Sequence, residues 1–385
     1  MKLAFQLALK NLLGAGLRTW LNAAVLSFSF VLIIFFNGML DGWNEQARRD
    51  GVAWEFGQGQ LLQKEYDPLD PFTIQYSHAM LPAPIAGTVV PILLRQASIY
   101  PEGRMLSVTL KGIDPAQTTL KVPTAMLTTS EADIPALMGK RMAESANLKK
   151  GDQVLMRWRD KNGTFDAASI TIVDVFDSDV ATVDNGQVWI DINRLWDMTG
   201  LTGQATLAVF TQEPHSTDIP GWTFKSQEAL LQNITDIIAM KKSSGYVLFL
   251  LLLGIALLAI FDTQVLSIFR RQKEIGTYVA LGMTRQQVVG LFTVEGGMYS
   301  LFALVVGASY GIPLFIFFAN KGIGIPQASQ SMGVAVAERI FPVYGFMLVV
   351  GTMLVIVLSA TIVSYLPARK IARMNPVNAL KGKLQ

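Results

Sequence analysis

Chemistry needs nucleophiles, ligands or paired acids at workable spacing, and this chain offers few of them. Its two histidines, His78 and His215, stand far apart, and neither has a second histidine or a cysteine beside it. Metal sites draw on several such ligands, so both read as surface residues and no metal centre is expected. With no cysteine in the chain, thiol catalysis, disulfides and cysteine–metal sites are excluded. There is no G-x-S-x-G nucleophile elbow and no G-x-x-x-x-G-K-[ST] phosphate loop. No catalytic residue is expected, and any ATP chemistry must belong to another chain.

What remains is charge in unusual places. Arg270, Arg271, Lys273 and Arg285 fall within sixteen residues, between two long apolar runs. Asp262 and Glu295 lie inside those runs, where an ionised acid costs roughly 2.5–3.5 kcal/mol on insertion scales and so faces protein, water or a partner. One reading makes them a proton relay or conformational pivot. The other, which we favour, places them near the headgroups, solvated or paired with Arg270, Arg271 or Arg285.

At 385 residues with 51% hydrophobic and 16% charged, the chain is too apolar for an ordinary soluble protein. Four runs reach the roughly 20 apolar residues that a spanning helix needs. They predict spans over 19–40, 244–269, 286–319 and 342–366. The net charge of +3 is small, and its excess lies beside the apolar runs, so no nucleic-acid footprint is expected. The first run exceeds a signal-peptide core and lacks a small-residue cleavage pattern, so it reads as an uncleaved span.

Residues 1–18 are amphipathic, with Phe5, Leu9, Leu12 and Leu13 on one helical face, and read as an interfacial helix or a simple extension of the span. Lys2, Lys10 and Arg18 place it in the cytoplasm, as the basic segment 367–385 places the C-terminus. Residues 41–243 and the short loop 320–341 then fall on the outer side. Alternation over 107–111, 153–158, 169–175 and 187–190 predicts strands, and Asn162-Gly163 a hairpin turn. Residues 134–148, 193–198 and 226–241 read as helices. The expected fold is a four-helix membrane protein with a large α+β ectodomain between the first and second spans. In the third span, Gly307 and Gly311 are spaced for close helix contact.

The basic loop 270–285 carries local structure of its own. Residues 274–281 predict a short amphipathic helix with Ile275 and Val279 on one face, Gly282 a left-handed stop, and Thr284 with Gln287 a capping box for the next helix. Topology alone explains a basic loop; a docking element for a soluble partner explains the helix as well.

Arg271, Glu274, Ile275, Gly276, Ala280, Leu281 and Gly282, followed by Glu295-Gly296, match an R-x-x-E-I-G-x-x-x-A-L-G signature and its acidic-glycine pair. The chain thereby resembles the ABC permeases of the MacB/FtsX-like superfamily. The pieces LKGIDPA (110–116), MGKRMAESANLKKGDQVLM (138–156) and ITIVDVF (170–176) resemble the periplasmic domain of its lipoprotein-releasing members. Along the first span only the Asn37-Gly38 step is shared.

The resemblance implies an inner-membrane subunit without catalysis of its own. A soluble ABC ATPase, holding ATP and Mg, would dock on the 274–282 helix. A second permease, identical or paralogous, would complete a dimer. ATP-driven closure would be transmitted to the ectodomain to release lipoproteins to a periplasmic carrier. The rival readings are export of another amphiphile or peptide with a periplasmic adaptor, and ATP-driven signalling to a cell-wall hydrolase.

Overall fold

The computed structural model describes residues 17–370 apart from 84, 86, 179, 215–216 and 325–338. Residues 1–16 of the predicted helix 1–18, most of the loop 320–341, most of the tail 367–385, and His215 thus lie outside the described residues.

The chain opens with helix α1, Leu17–Gly51. It continues well past the expected end of the span at residue 40, because DGWNEQARRD contains no proline and only one glycine to stop it. A π-turn, Val52–Phe56, then leads into β1, Gln60–Gln63, and β2, Ala79–Met80. Next come β3, Val89–Ile99, β4, Leu106–Ile113, and β5, Pro135–Gly139. Helix α2, Lys140–Ala146, precedes β6, Gln153–Arg159, and β7, Phe165–Phe176. A single turn α3, Ala181–Asp184, leads to β8, Gln187–Asp191, and α4, Ile192–Thr199. Strands β9, Gln204–Ala205, β10, Leu207–Phe210, and β11, Trp222–Lys225, close the region. Helix α5, Gln227–Arg270, follows, then α6, Gln272–Ala280, and α7, Arg285–Lys321. A minimal pair β12, Ile323–Gly324, and β13, Arg339–Ile340, precedes α8, Phe346–Ala368. The helices α1, α5, α7 and α8 are each long and apolar enough to cross a membrane.

The chain divides into two compact units: residues 1–43, 238–323 and 341–385, and residues 44–237 with 324–340. In the second, nine strands form one sheet in the order β11-β1-β10-β3-β4-β8-β5-β7-β6. Strand β3 serves two neighbours along one edge, pairing β10 through Val89–Ile92 and β6 through Ala97–Ile99. The second pairing closes β3-β4-β8-β5-β7-β6 into a six-stranded ring. Leu93 and Ile99, Leu110, Met138, Met156, Ile172 and Ile190 come from all six strands into one buried cluster, which is the ring interior. The opposite face carries its own core of Ile92, Leu94, Leu137, Phe176 and Trp189.

The predicted helix 134–148 is half strand. Pro135–Gly139 pairs with β7 and β8, and only Lys140–Ala146 is helical. Ala136, Leu137 and Met138 are all fully buried, and a short continuous apolar run carries no period to distinguish strand from helix. Helix α2 stops at Asn147, in the left-handed conformation at φ 56°.

Three buried polar side chains mark the sheet region. Arg95 is 1% exposed and donates to the carbonyls of Gln75, Arg159 and Asp160, at 3.1, 3.2 and 3.0 Å. Lys111 lies over the Trp189 ring, 4.7 Å from its centroid, and burial pulls its ammonium below the usual lysine range. Asp184 is 1% exposed and only 3.5 Å from Arg141 Nε, yet burial pushes its carboxyl up to about 6.

In the other unit, small residues set the helix contacts. A methyl group at Gly311 would come within 2.9 Å of Val31 Cγ2, and one at Gly307 within 3.1 Å of Phe30 Cδ1, so these two glycines seat α7 against α1. At Gly296 a methyl would reach 2.2 Å from Ser364 Oγ, which places α7 hard against α8. Gly245 faces Phe36 equally closely. The helix expected over 226–241 and the span expected over 244–269 are one continuous helix, α5, and the small residues Ser243-Ser244-Gly245 inside it admit the Phe36 ring.

Candidate functional site

The site is the turn from α5 through α6 into α7. Helix α6 ends at Gly282, whose φ of 97° needs glycine, and the amides of Gly282 and Met283 close on the carbonyls of Val279 and Tyr278. Two residues later the next helix is capped in both directions. Gln287 N donates to Thr284 Oγ1 at 3.3 Å, and Thr284 N donates to Gln287 Oε1 at 2.8 Å. Such a stop and start leave α6 a distinct rod, held at fixed angles by its own ends.

Arg271 holds that rod. Its Nε and Nη2 donate to the two oxygens of Glu274, at 2.6 and 2.7 Å, a planar fork one turn along α6. Its Nη1 donates to both oxygens of Glu295 on α7, at 3.0 and 2.9 Å. The guanidinium also lies 4.8 Å from the Phe292 ring centroid. Tyr278 completes the set by donating its hydroxyl to Glu274 at 2.7 Å. The Arg271 hydrogen bond, with help from Tyr278, holds Glu274 below the usual carboxylate range, and the Glu274 acceptor raises Tyr278. The same hydrogen bonds raise Arg271. Glu295 is 5% exposed, so its charge is matched inside the fold.

An apolar floor lies beside the clamp. Ile275 and Ile268 pack with Val288, Val289 and Phe292 of α7 and Ala368 of α8. The seven signature residues therefore divide by what they touch. Arg271 and Glu274 make the clamp, and Ile275 and Gly276 are buried. Ala280, Leu281 and Gly282 are exposed at the tip, Leu281 by 79%. Lys273 and Thr277 share that open surface. The sequence reading takes Lys273 only as one of the basic residues of the loop and does not single out Thr277, because neither stands in the signature; their spacing of four along α6, opposite Ile275, is the signal that places them there.

Glu295 and Arg271 come together, as one of the two readings of the acids allowed. Asp262 does not join them: it is exposed on α5, with no hydrogen bond or ion pair among the described residues. Gly307 and Gly311 belong to the α1–α7 contact, away from the clamp. His78 donates through Nδ1 to Gln204 Oε1 at 2.6 Å. Among the described residues, no group of three or more His, Cys, Asp or Glu is placed to hold a metal ion.

Residues 246–376 match the FtsX-like permease C-terminal family. Over that C-terminal third the chain is similar to the permeases of the MacB/FtsX-like superfamily. An uncharacterized ABC transporter permease of Methanocaldococcus jannaschii is 32% identical over 124 residues, which are 32% of this chain and 29% of that protein. The macrolide export ATP-binding/permease protein MacB 2 of Aeromonas hydrophila is 27% identical over 182 residues, 47% of this chain and 25% of its own. The Escherichia coli protein MacB is 29% identical over 132 residues, covering 34% and 18%. The chain thus spans less than a third of the length of these relatives. The permease family and the four apolar helices together make it a multi-pass membrane protein.

Proposed function

We propose that this chain is the membrane subunit of an ABC complex that works by transmission. A separate ATPase chain, holding ATP and Mg, docks on the exposed surface of α6 at Lys273, Thr277, Ala280 and Leu281. Closure of two ATPases pushes two such helices, one from each of two permease chains. The displacement enters α7 through the Arg271 clamp and is carried to the sheet region on the far side of the membrane. The N- and C-termini are then cytoplasmic and the sheet region periplasmic, in the inner membrane of a double-membrane envelope.

The observation that carries this reading is the Arg271 bridge. A soluble partner can move a membrane helix only through a rigid connection: two charge-assisted hydrogen bonds fix Arg271 to Glu274 on α6 and two more tie it to Glu295 on α7, while the α6 tip stays open.

The preferred work is release of lipoproteins from the inner membrane to a periplasmic carrier. Support comes from the LKGIDPA, MGKRMAESANLKKGDQVLM and ITIVDVF segments, which fall on β4 and its following turn, on β5 to β6, and on β7. The second reading is export of another amphiphile with a periplasmic adaptor, favoured by the two relatives named for macrolide export.

Affinity purification of the tagged full chain from its native membrane, with mass spectrometry, tests both. An ABC ATPase with lipidated proteins supports the first reading. An ATPase with an adaptor and no lipoprotein moves the assignment to the second. An ATPase accompanied by a cell-wall hydrolase points to signalling. Absence of any ATPase in mild detergent with nucleotide present removes the ABC reading altogether.

A further inference from the structure

Gln264, on α5, is wholly buried, and neither end of its amide has a hydrogen-bond partner. Two other buried amides of the same unit are bonded. Asn22 Nδ2 donates to Thr263 Oγ1 at 2.7 Å, and Asn37 Nδ2 to the Ile33 carbonyl at 3.0 Å. Among the described residues, Gln264 alone has both amide atoms sealed from solvent and unpaired. It lies six residues before Arg270, about 9 Å along a helix axis from that basic end of α5. A methionine of the same length would fill the space without stranding a donor and an acceptor in an apolar interior. The amide therefore destabilises the arrangement described, and its use lies in a different one.

The surroundings of the amide name its missing partner. The point where a methyl group on Gly296 of α7 would stand is 3.0 Å from Gln264 Nε2 and 2.2 Å from Ser364 Oγ of α8. The amide and the hydroxyl thus flank one glycine, which puts no side chain between them. Ser364 is fully buried as well, and its hydroxyl donates to the Ala360 carbonyl at 2.7 Å, which leaves the oxygen able to accept. Gly296 follows Glu295, the residue through which the Arg271 clamp grips α7. A displacement that enters α7 at the clamp therefore arrives one residue from the point where α5 and α8 meet it. The amide is closed to any other protein, so a partner for it comes from this chain's own helices.

We propose that Gln264 is a positioning residue for transmission: its amide, unbonded in the arrangement described, donates to Ser364 across Gly296 when the clamp displaces α7. The hydrogen bond then exists in only one of two helix arrangements, and its formation offsets part of the cost of reaching that one. The missing side chain at Gly296 is what lets the two groups approach. The proposal deepens the transmission reading above and rests on it for the existence of the second arrangement.

The full chain is purified in detergent with its ATPase and melted with and without a non-hydrolysable ATP analogue. Gln264→Met should raise the melting temperature by a few degrees without nucleotide, and lower it with the analogue bound. Ser364→Ala tests the pairing. Without nucleotide the two substitutions should act additively; with the analogue, the second should cost less once the first is made. A Gln264→Met chain that melts earlier without nucleotide overturns the proposal, since the amide then has a partner at rest. Additive effects in both conditions overturn it as well. The ATPase content of the wild-type preparation is read first. If none is present, the transmission reading fails and this proposal falls with it. An ATPase bound, with additive effects throughout, leaves that reading standing and removes only the role of Gln264.

Discussion

Arg95, in the sheet region, and Arg271, at the head of α6, bury a guanidinium in opposite ways. Arg95 meets only neutral acceptors, the carbonyls of Gln75, Arg159 and Asp160, and burial lowers its proton affinity. Arg271 meets two carboxylates on two different helices, and their hydrogen bonds raise its proton affinity. The first arrangement satisfies backbone groups that would otherwise be orphaned where a loop and a strand end converge. It is a staple. The second balances charges between two different helices, and its strength depends on keeping all three groups in register. A staple is expected to matter for folding alone, a clamp for folding and for transmission.

Removing the clamp residue should have the largest effect. Arg271→Ala leaves Glu295 buried without its main partner, a loss on the order of 3–5 kcal/mol by comparison with other broken buried pairs. The melting temperature in detergent should fall by several degrees and cargo-stimulated ATP hydrolysis by the complex should be abolished. Arg271→Lys should not restore transmission, because a single ammonium cannot present the fork to both acids. Combining Arg271→Met with Glu295→Gln should recover most of the stability and none of the coupling. Full coupling in that pair would reduce the clamp to another staple.

The difference between the two arginines also explains what could be read from sequence. The stop at Gly282 and the box at Thr284–Gln287 are local devices, complete within a few residues, so the α6–α7 boundary is legible in the order of amino acids alone. Arg271 and Glu295 are 24 residues apart. Only the packing of α6 across α7 selects Glu295 over the alternatives, and the sequence left Arg270 and Arg285 equally eligible. The sheet shows the same divide. Strands β6 and β8 fall where alternation predicts them. Strand β3, with Pro91 and a nearly continuous apolar run, is invisible to that test, because its residues are buried on both faces. The loops that Arg95 staples come from residues 75 and 159–160, a meeting no local pattern announces.

Arg95 offers the matching test of the staple. Arg95→Met keeps the apolar stem and removes donors from three carbonyls, at a cost of about 3 kcal/mol for orphaned backbone acceptors. Stability of the full chain in denaturant should fall by that order, while the ATP hydrolysis of whatever protein remains folded keeps its response to cargo. A lost response at unchanged stability would make Arg95 the more functional of the two.

Leu281 sharpens the comparison from outside the fold. It is 79% exposed at the α6 tip and supports nothing inside the chain. Leu281→Asp should leave the melting temperature unchanged and weaken ATPase association about tenfold, near 1.4 kcal/mol. Unaltered association would move the docking surface away from the α6 tip, although the clamp beneath it would be untouched.

The smallest effect near neutral pH belongs to a buried charge that has an imperfect partner. Asp184 sits 3.5 Å from Arg141, and burial outweighs that attraction, so its carboxyl titrates near 6 instead of the ordinary 3.8. A folded-state value above the unfolded one means that the native protein binds the extra proton between about pH 4 and pH 6. Stability from this group is therefore full below that window, falls as the pH rises through it, and is level above. The span of the fall is at most about 3 kcal/mol, at about 1.36 kcal/mol per unit. Asp184→Asn should flatten the slope between pH 4 and 6. It should change stability at pH 7.5 by only about 1 kcal/mol, since relief from burying the charge is offset by losing the attraction of Arg141. Denaturant midpoints of the full chain across that range measure it. An unchanged slope would mean that Arg141 pairs with Asp184 as completely as the carboxylates of α6 and α7 pair with Arg271.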